Sequence, residues 1–241
     1  DYAIDDYYSY RNGKIVYASY QSDPRWANRD YSVIQLLDIH SGLQRQVTFR
    51  SKYFSPDINA AGNELLAVNV NTNGTNNLHR LDASTGKLIG QVPNPRNYFF
   101  TQTKYINGNT AVSAARNPQG NMVLITVDLT TGATYNLTPF SFNVIGYPFV
   151  KGDTVYFTAM HDNADKVFAI TLSDKKIYKL TSNINGIYHP AVNSKGEMLA
   201  SAFTAGGYRL TKLNLARSGW QEISFTGFII SNSKFNTDSL F

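Results

Sequence analysis

The sequence predicts an all-β fold, a β-propeller made of five repeats that each form one four-stranded antiparallel sheet. Three series of residues support this prediction, because each recurs at a spacing of about 44 residues. The first series marks a tight turn: Asp38, Asp82, Asp128, Thr171 and Asn214. The second closes each repeat: Val47-Thr48, Val92-Pro93, Leu137-Thr138, Leu180-Thr181 and Ile223-Ser224. The third is an earlier turn glycine: Gly13, Gly62, Gly108, Gly152 and Gly196.

Each repeat contains four short apolar runs that are separated by turn residues. In the second repeat the runs are KYFSPDI, ELLAVNV, NLHRLD and KLIGQV, and in the fourth they are YPFV, TVYFTAM, KVFAITL and IYKLT. Branched and aromatic residues bounded by Gly, Asn and Asp are typical of strands and hairpins. No segment holds apolar residues at helical spacing for three turns, so we expect almost no helix.

The recurring stretch LDASTGKLI, residues 81–89, has two interpretations. Asp38, Asp82 and Asp128 could form a carboxylate cluster, or each could cap a hairpin turn through bonds to its own backbone. Gly86 suits such a turn because glycine adopts positive φ freely. The fourth repeat has Thr171 and Lys175 at the matching positions, which a turn tolerates and an active site does not. We therefore interpret the stretch as a turn.

The repeat marks also carry a family resemblance. Ser55-Pro56-Asp57, Asp82 to Gly86, Asp128 to Gly132 and the Leu-Thr pairs resemble the motifs of the TolB-like, WD40-like β-propeller repeat family. The resemblance runs from about residue 7 to 227. Tyr147-Pro148 and His189-Pro190 retain only the proline of the first motif. The resemblance implies a bacterial, extracytoplasmic setting (periplasm or cell surface) and protein partners. It also extends to propellers that are fused to serine peptidases.

The repeat boundaries define one predicted propeller domain, residues 1–227. The repeats cover approximately residues 7–50, 51–95, 96–140, 141–183 and 184–227. The tail, 228–241, is a linker, one further strand, or the start of a sixth blade whose remainder lies outside this sequence. An open ring exposes unpaired sheet faces, so we favour closure with five blades.

Composition excludes several functional classes. The 22 Lys and Arg residues against 17 Asp and Glu give a net charge of +5, but the basic residues are dispersed, so we do not expect nucleic-acid binding. Cysteine is absent, which removes disulfides and thiolate metal sites. No apolar run is long enough for a transmembrane helix. No signal peptide is visible and the chain opens at Asp1, so we expect a processed protein or an excised domain.

The loop at residues 19–32, SYQSDPRWANRDYS, is longer than its counterparts in the other repeats. It contains Arg25, Trp26, Arg29, Asp30 and Tyr31, which include the residue types enriched at interface hot spots. One interpretation is a partner-binding patch at the channel mouth. The other is a loop folded on itself, with Trp26 buried beneath it and Arg29 paired to Asp30 or Asp23.

Loops between successive repeats add four candidate partner-binding residues: Tyr98, Tyr147, Tyr188 and His189. They either line the same mouth or pack against the neighbouring blade.

Signatures of an enzyme are absent from the sequence. The four histidines show no zinc-like spacing, and no Gly-x-Ser-x-Gly elbow occurs. We predict no catalytic residues, metal ligands or cofactor, and a non-catalytic, monomeric propeller that binds proteins. One alternative is an accessory or gating propeller of a hydrolase or peptidase whose catalytic domain lies outside this chain, which leaves the parent protein's activity open. Another is carbohydrate or small-ligand binding by aromatic residues at the channel mouth.

Overall fold

Almost all secondary structure in the computed structural model is β-strand, as the sequence predicted. The structure describes residues 3–26, 28–182, 186–213 and 216–224. The helical content of these residues is one short 3-10 turn, Arg217–Gly219. None of their helices has the length and apolar character that a membrane span requires.

The strands of repeats 1 to 4 pair in chain order, so each of these repeats forms its own sheet. Sheet 1 contains β1 (Ala3–Arg11), β2 (Lys14–Ser22), β3 (Asp30–Asp38) and β4 (Gln44–Gln46). Sheet 2 contains β5 (Tyr53–Ile58), β6 (Glu64–Val70), β7 (Asn76–Asp82) and β8 (Leu88–Gln91). Sheet 3 contains β9 (Phe99–Tyr105), β10 (Thr110–Arg116), β11 (Met122–Asp128) and β12 (Thr134–Asn136). Sheet 4 contains β13 (Ile145–Lys151), β14 (Thr154–His161), β15 (Ala164–Thr171) and β16 (Ile177–Lys179).

The fifth repeat differs from the prediction in one strand. Its sheet, sheet 5, contains β17 (Ile187–Val192), β18 (Met198–Thr204) and β19 (Gly207–Leu213). The expected fourth strand, β20 (Gln221–Ile223), pairs antiparallel with β16 and extends sheet 4 to five strands. Trp220 explains this exchange, because its ring lies 5.4 Å from that of Tyr178 and 6.0 Å from that of Tyr156, both in sheet 4. The five-repeat propeller fold is confirmed, with its last strand transferred to the preceding sheet.

The chain divides into two compact units, one of residues 1–120 and 125–135, the other of residues 121–124 and 136–241. In unit 1, β5 packs across β1 to β3, and β9 packs across β5 to β7. In unit 2, β17 packs across β13 to β15 in the same way. The innermost strand of a repeat therefore covers one face of the sheet before it. Apolar residues fill the contact, such as Ile34 and Ile58 in unit 1 and Val167 and Ile187 in unit 2.

The innermost strands share a bulge at one position. The residues there have left-handed φ angles between 47° and 55°: Ser55, Gln102, Tyr147 and His189. Such angles are uncommon for residues other than glycine. Because four repeats adopt this conformation, the bulge belongs to the fold and its strain does not by itself identify a site.

The aspartates of the LDASTGKLI series cap turns, as predicted. Asp82 Oδ1 accepts hydrogen bonds from the backbone N–H groups of Ser84 and Thr85, at 3.0 and 2.7 Å. Hydrogen bonds from the Ser84 and Thr85 hydroxyls, followed by these backbone bonds, lower the pKa of Asp82 to about 2. Asp38 and Asp128 accept equivalent bonds. In the fourth repeat Lys175, with φ of 59°, occupies the position of the turn glycine. Asn214 lies outside the described residues.

The turn glycines have a second role that the sequence did not indicate. A Cβ atom on Gly86 would lie 2.1 Å from the carbonyl oxygen of Val47, and one on Gly132 would lie 2.0 Å from that of Pro93. Val47 and Pro93 belong to the closing segments of the preceding repeats. The turn of one repeat therefore contacts the backbone of the repeat before it directly. At the contact there is no room for a Cβ atom, so only glycine fits.

Candidate functional site

The predicted partner-binding loop is an ordered tip of the β2–β3 hairpin. The two strands pair as far as Ser22 and Asp30, and the structure describes residues 23–26, 28 and 29 of the tip between them. Asp23 organises it: its carboxylate accepts hydrogen bonds from the Arg25 N–H and the Tyr31 hydroxyl, both at 2.8 Å. The Asp23 N–H donates to the carbonyl of Arg29 at 2.9 Å, and the Arg29 N–H donates to that of Trp26 at 2.9 Å.

Electrostatics stabilise the same arrangement. The bond from the Arg25 N–H is the main cause of a lowered pKa at Asp23, with contributions from Tyr31 and the positive charge of Arg29. The bond to Asp23 in turn raises the pKa of the Tyr31 hydroxyl. The Arg29 guanidinium lies 5.5 Å from the centre of the Tyr31 ring, within the range of cation–π attraction.

The side chains of the tip divide into supporting and exposed groups. Tyr31 is buried beneath the tip, and Asp30 is half-buried. Arg25 and Arg29 are exposed, and Trp26 is 64% exposed. The alternative expectation that Trp26 is buried under its own loop is therefore wrong.

A second segment, residues 49–52, extends the exposed surface next to the tip. The Ser32 N–H donates to the carbonyl of Ser51 at 2.9 Å, and the Ser51 hydroxyl returns a bond to the carbonyl of Ser32 at 2.7 Å. These bonds place the segment beside the base of β3, where it exposes three large side chains: Phe49, Arg50 and Lys52. The sequence analysis did not identify these residues, because no local pattern sets them apart from other loop residues. We call the combined surface the Arg/Trp patch: Arg25, Trp26, Arg29, Phe49, Arg50 and Lys52.

Tyr98, another candidate for partner binding, is only 3% exposed. Its backbone is held by Asn94, which accepts a bond from the Tyr98 N–H and donates one to the Tyr98 carbonyl, at 3.0 and 2.8 Å. Its ring packs edge-on against Phe100, 6.4 Å away. The side chain is a packing element and we leave it out of the candidate surface.

Tyr147, Tyr188 and His189 come together in unit 2. The ring centres of Tyr147 and His189 lie 3.7 Å apart, since both residues occupy the bulge of adjacent innermost strands. Tyr188 packs edge-on against Tyr208 at 5.7 Å. Burial, followed by a hydrogen bond to Asp165, raises the pKa of Tyr188 to about 12. All three candidates are half-buried, which fits packing between neighbouring repeats.

A buried polar network in unit 1 is the remaining cluster with reactive side chains. The Lys104 ammonium lies 3.8 Å from Asp57 and donates to the Ser9 hydroxyl, while the Tyr105 N–H donates to Asp57 at 2.7 Å. Burial lowers the pKa of Lys104. A Ser–Lys pair can act as a nucleophile and base. Here the Ser9 hydroxyl donates to the Pro56 carbonyl at 2.8 Å and is 2% exposed, so it is not available to a substrate. The network joins β1, β5 and β9 and explains the Ser-Pro-Asp motif structurally.

Comparison with known proteins agrees with this architecture. No protein-family model matches the chain, and no curated protein sequence matches it. TolB from Acinetobacter baumannii superimposes with a TM-score of 0.62 at 18% identity, over 90% of this chain and 55% of TolB. The putative TolB from Agrobacterium tumefaciens gives 0.63 at 13% identity, over 81% and 75%. This chain folds as a TolB-like β-propeller. Puromycin hydrolase contains a similar region, with a TM-score of 0.64 at 10% identity over 88% of this chain and 35% of the hydrolase.

The chain spans about half the length of the Acinetobacter TolB that it resembles. Within the part of this TolB-like propeller that the structure describes, no three His, Asp or Glu side chains gather closely enough to hold a metal ion. The arrangement best suited to a ligand is the Arg/Trp patch, which offers exposed cations and aromatic rings on a fixed backbone.

Proposed function

We propose that this TolB-like propeller is a non-catalytic scaffold that binds a protein partner through the Arg/Trp patch. The observation that carries the proposal is the exposure of Trp26 on a tip whose backbone is held by Asp23. At protein interfaces, the residues whose truncation to alanine costs most binding free energy are enriched in tryptophan and arginine. A tip that is already ordered also loses little conformational entropy on binding.

The charge of the patch defines the kind of partner. Arg25, Arg29, Arg50 and Lys52 supply four exposed positive charges around two aromatic side chains, Trp26 and Phe49. A complementary partner presents acidic residues beside an apolar pocket or ridge. Charge complementarity accelerates association and is screened by salt, so binding should weaken as the ionic strength rises.

The family resemblance supports the setting of this interaction. On this basis we propose that the chain lies in an extracytoplasmic compartment of a bacterial cell, either the periplasm or the cell surface, as part of a larger envelope protein. We propose that the chain acts there as a monomeric docking module.

Affinity capture from an envelope extract tests the proposal, with three forms of the chain as bait. The first is unchanged, and the second carries Arg25→Ala, Trp26→Ala and Arg29→Ala. The control carries Lys87→Ala and Leu88→Ala, two exposed residues immediately before and at the start of β8. We expect one protein to be retained by the first and third baits and lost from the second. Each hot-spot residue contributes about 2 kcal/mol, which corresponds to roughly thirtyfold in Kd. Equal capture by all three baits would show that the partner does not bind through the Arg/Trp patch.

A second candidate function is suggested by the similarity to puromycin hydrolase, of which this chain matches only 35%. The propeller would then restrict access to a hydrolase domain elsewhere in a longer protein. The complete reading frame discriminates between the two functions. A catalytic domain adjacent to the propeller, with turnover that changes when the patch is altered, would favour the gating role.

A further inference from the structure

The two aromatic side chains of the Arg/Trp patch are both exposed on connecting segments. Trp26 is 64% exposed at the tip of the β2–β3 hairpin, and Phe49 is 73% exposed between β4 and β5. Hydrogen bonds between Ser32 and Ser51 hold the two segments side by side. Exposed apolar groups that are rimmed by polar residues mark sites where a protein meets a partner or a membrane.

The cations around these two rings are not neutralised within the chain. They are Arg25, Arg29, Arg50 and Lys52, and all four are exposed. Among the described residues, none of the four forms an ion pair. The bond to Asp23 raises the pKa of Tyr31, and the positive charges of Arg29 and Arg50 oppose this rise. The cations of the two segments therefore act on one common region.

The acidic residues of the tip do not cancel this charge at its outer surface. Asp23 is half-buried, and its carboxylate accepts bonds from the Arg25 N–H and the Tyr31 hydroxyl, both at 2.8 Å. Asp30 is also half-buried, and one of its carboxylate oxygens is buried completely. The outer surface of the patch is therefore cationic and aromatic.

This combination of groups matches the chemistry of an anionic bilayer surface. Tryptophan favours the headgroup region, where its ring is in an apolar environment and its N–H remains hydrated. Arginine and lysine bury their apolar stems while their charged ends reach the lipid phosphates. Each cation near an anionic surface strengthens binding about fivefold. Aromatic side chains beside several cations are the pattern of proteins that lie in the membrane interface.

We propose that the Arg/Trp patch also docks the chain on an anionic membrane surface. Trp26 and Phe49 enter the headgroup region, and the four cations contact lipid phosphates around them. The lipid surface and the proposed protein partner exclude each other, because both must cover Trp26. The inference does not rest on the proposed function, since lipid binding requires only this chain.

Tryptophan fluorescence of the full chain tests the proposal, because the sequence contains only two tryptophans. Trp220→Phe leaves Trp26 as the reporter. Trp26→Phe leaves Trp220, which packs against Tyr156 and Tyr178. With vesicles of equal parts phosphatidylglycerol and phosphatidylcholine, the emission of Trp26 should shift to the blue and that of Trp220 should not. Pure phosphatidylcholine vesicles and soluble glycerol phosphate should shift neither emission.

Vesicle sedimentation measures the affinity, with two variants that each lose three positive charges. The patch variant carries Arg25→Gln, Arg29→Gln and Arg50→Gln, and keeps both aromatic rings. Its matched control replaces three exposed lysines outside the patch by glutamine: Lys87, Lys151 and Lys195. The patch variant should bind anionic vesicles about a hundredfold more weakly than the unchanged chain, because three cations of about fivefold each are lost. The control should bind within about threefold of the unchanged chain, because charges away from the contact are screened by salt. Circular dichroism confirms that both variants are folded.

Several results would overturn the inference. They are an unshifted Trp26 emission with anionic vesicles, a shift of Trp220 as large as that of Trp26, and equal weakening in the two charge variants. Capture of a protein partner by a chain that does not bind vesicles would also overturn it and would leave the proposed function standing. Vesicle binding through the patch, with equal protein capture by all three baits, would support the inference and contradict the proposed function.

Discussion

Replacement of Gly86 by alanine isolates the contact through which one repeat is seated on the next. Gly86 has φ of +70° at the end of the Asp82 turn, and a Cβ atom there would lie 2.1 Å from the Val47 carbonyl oxygen. Gly42 occupies the same position in the Asp38 turn, with φ of +68°, and nothing lies within 4 Å of its Cβ position. The two turns close with matching hydrogen bonds, from Gly42 to Asp38 at 2.9 Å and from Gly86 to Asp82 at 2.8 Å.

The expected magnitudes follow from these two environments. In both variants an alanine must adopt the left-handed backbone region, which is unfavourable by about 1–2 kcal/mol. Gly42→Ala should lower the free energy of unfolding by this amount. Gly86→Ala should add an overpacking cost of about 1–3 kcal/mol, because backbone must move to accommodate the methyl group. Gly132→Ala, whose Cβ would lie 2.0 Å from the Pro93 carbonyl oxygen, should behave like Gly86→Ala.

Urea unfolding of the three variants measures these differences, with the slope of the transition checked for constancy. The result that would refute the reasoning is a Gly86→Ala variant within about 0.5 kcal/mol of Gly42→Ala, which is the usual scatter of such comparisons. The turn would then be a local device whose glycine has no role between repeats.

Other substitutions test the networks described above. Asp57→Ala should lower the free energy of unfolding by about 3–5 kcal/mol, because it removes the carboxylate that faces the buried Lys104. Adding Lys104→Met to that variant should recover much of the lost free energy, as measured by urea unfolding. No recovery would contradict the pairing of Asp57 with Lys104. Burial alone would raise the pKa of Glu64, but hydrogen bonds from Arg80 and Tyr105 outweigh burial and lower this pKa. The ionised Glu64 therefore contributes to the free energy of unfolding near neutral pH, and this contribution is lost as the pH falls from about 5 through the lowered pKa. Glu64→Gln should therefore flatten the acid side of the stability–pH curve, and an unchanged slope would exclude this role. Trp220→Ala should lower the free energy of unfolding by about 1–3 kcal/mol, because two aromatic ring pairs are lost. It should also speed amide hydrogen exchange in β16 and β20. Unchanged exchange would show that Trp220 does not hold β20 against sheet 4.

Repeat architecture was predictable from the sequence because turn geometry restricts residue type strongly. Asp82 and Gly86 suit a short hairpin turn, and the recurrence of this pair along the sequence predicts where the sheets lie. The transfer of β20 to sheet 4 was not predictable in this way. It depends on contacts of Trp220 with Tyr156 and Tyr178, which are distant in sequence and carry no spacing signal.

The candidate site was predictable in part. The length of the 19–32 loop and its content of Trp26 and arginine predict either an exposed partner-binding patch or a loop folded on itself, and the exposure of Trp26 contradicts only the second. Its extension by Phe49 and Arg50 depends on hydrogen bonds between two serines in different segments, which no local pattern reveals. The sequence left Tyr98 open between a surface role and a packing role, because its loop position does not show that Asn94 folds the backbone around it.

The transfer of β20 also determines how the end of the molecule can come apart. Stacked repeats generally unravel from their termini, since each repeat contacts only its neighbours. Here the final strand belongs to repeat 5 in sequence and to sheet 4 in space, and its Glu222 lies 3.0 Å from Lys176. Repeat 5 therefore cannot detach as an independent unit while β20 remains paired. Under heat, denaturant or mechanical pulling, the last two repeats should open in a single step.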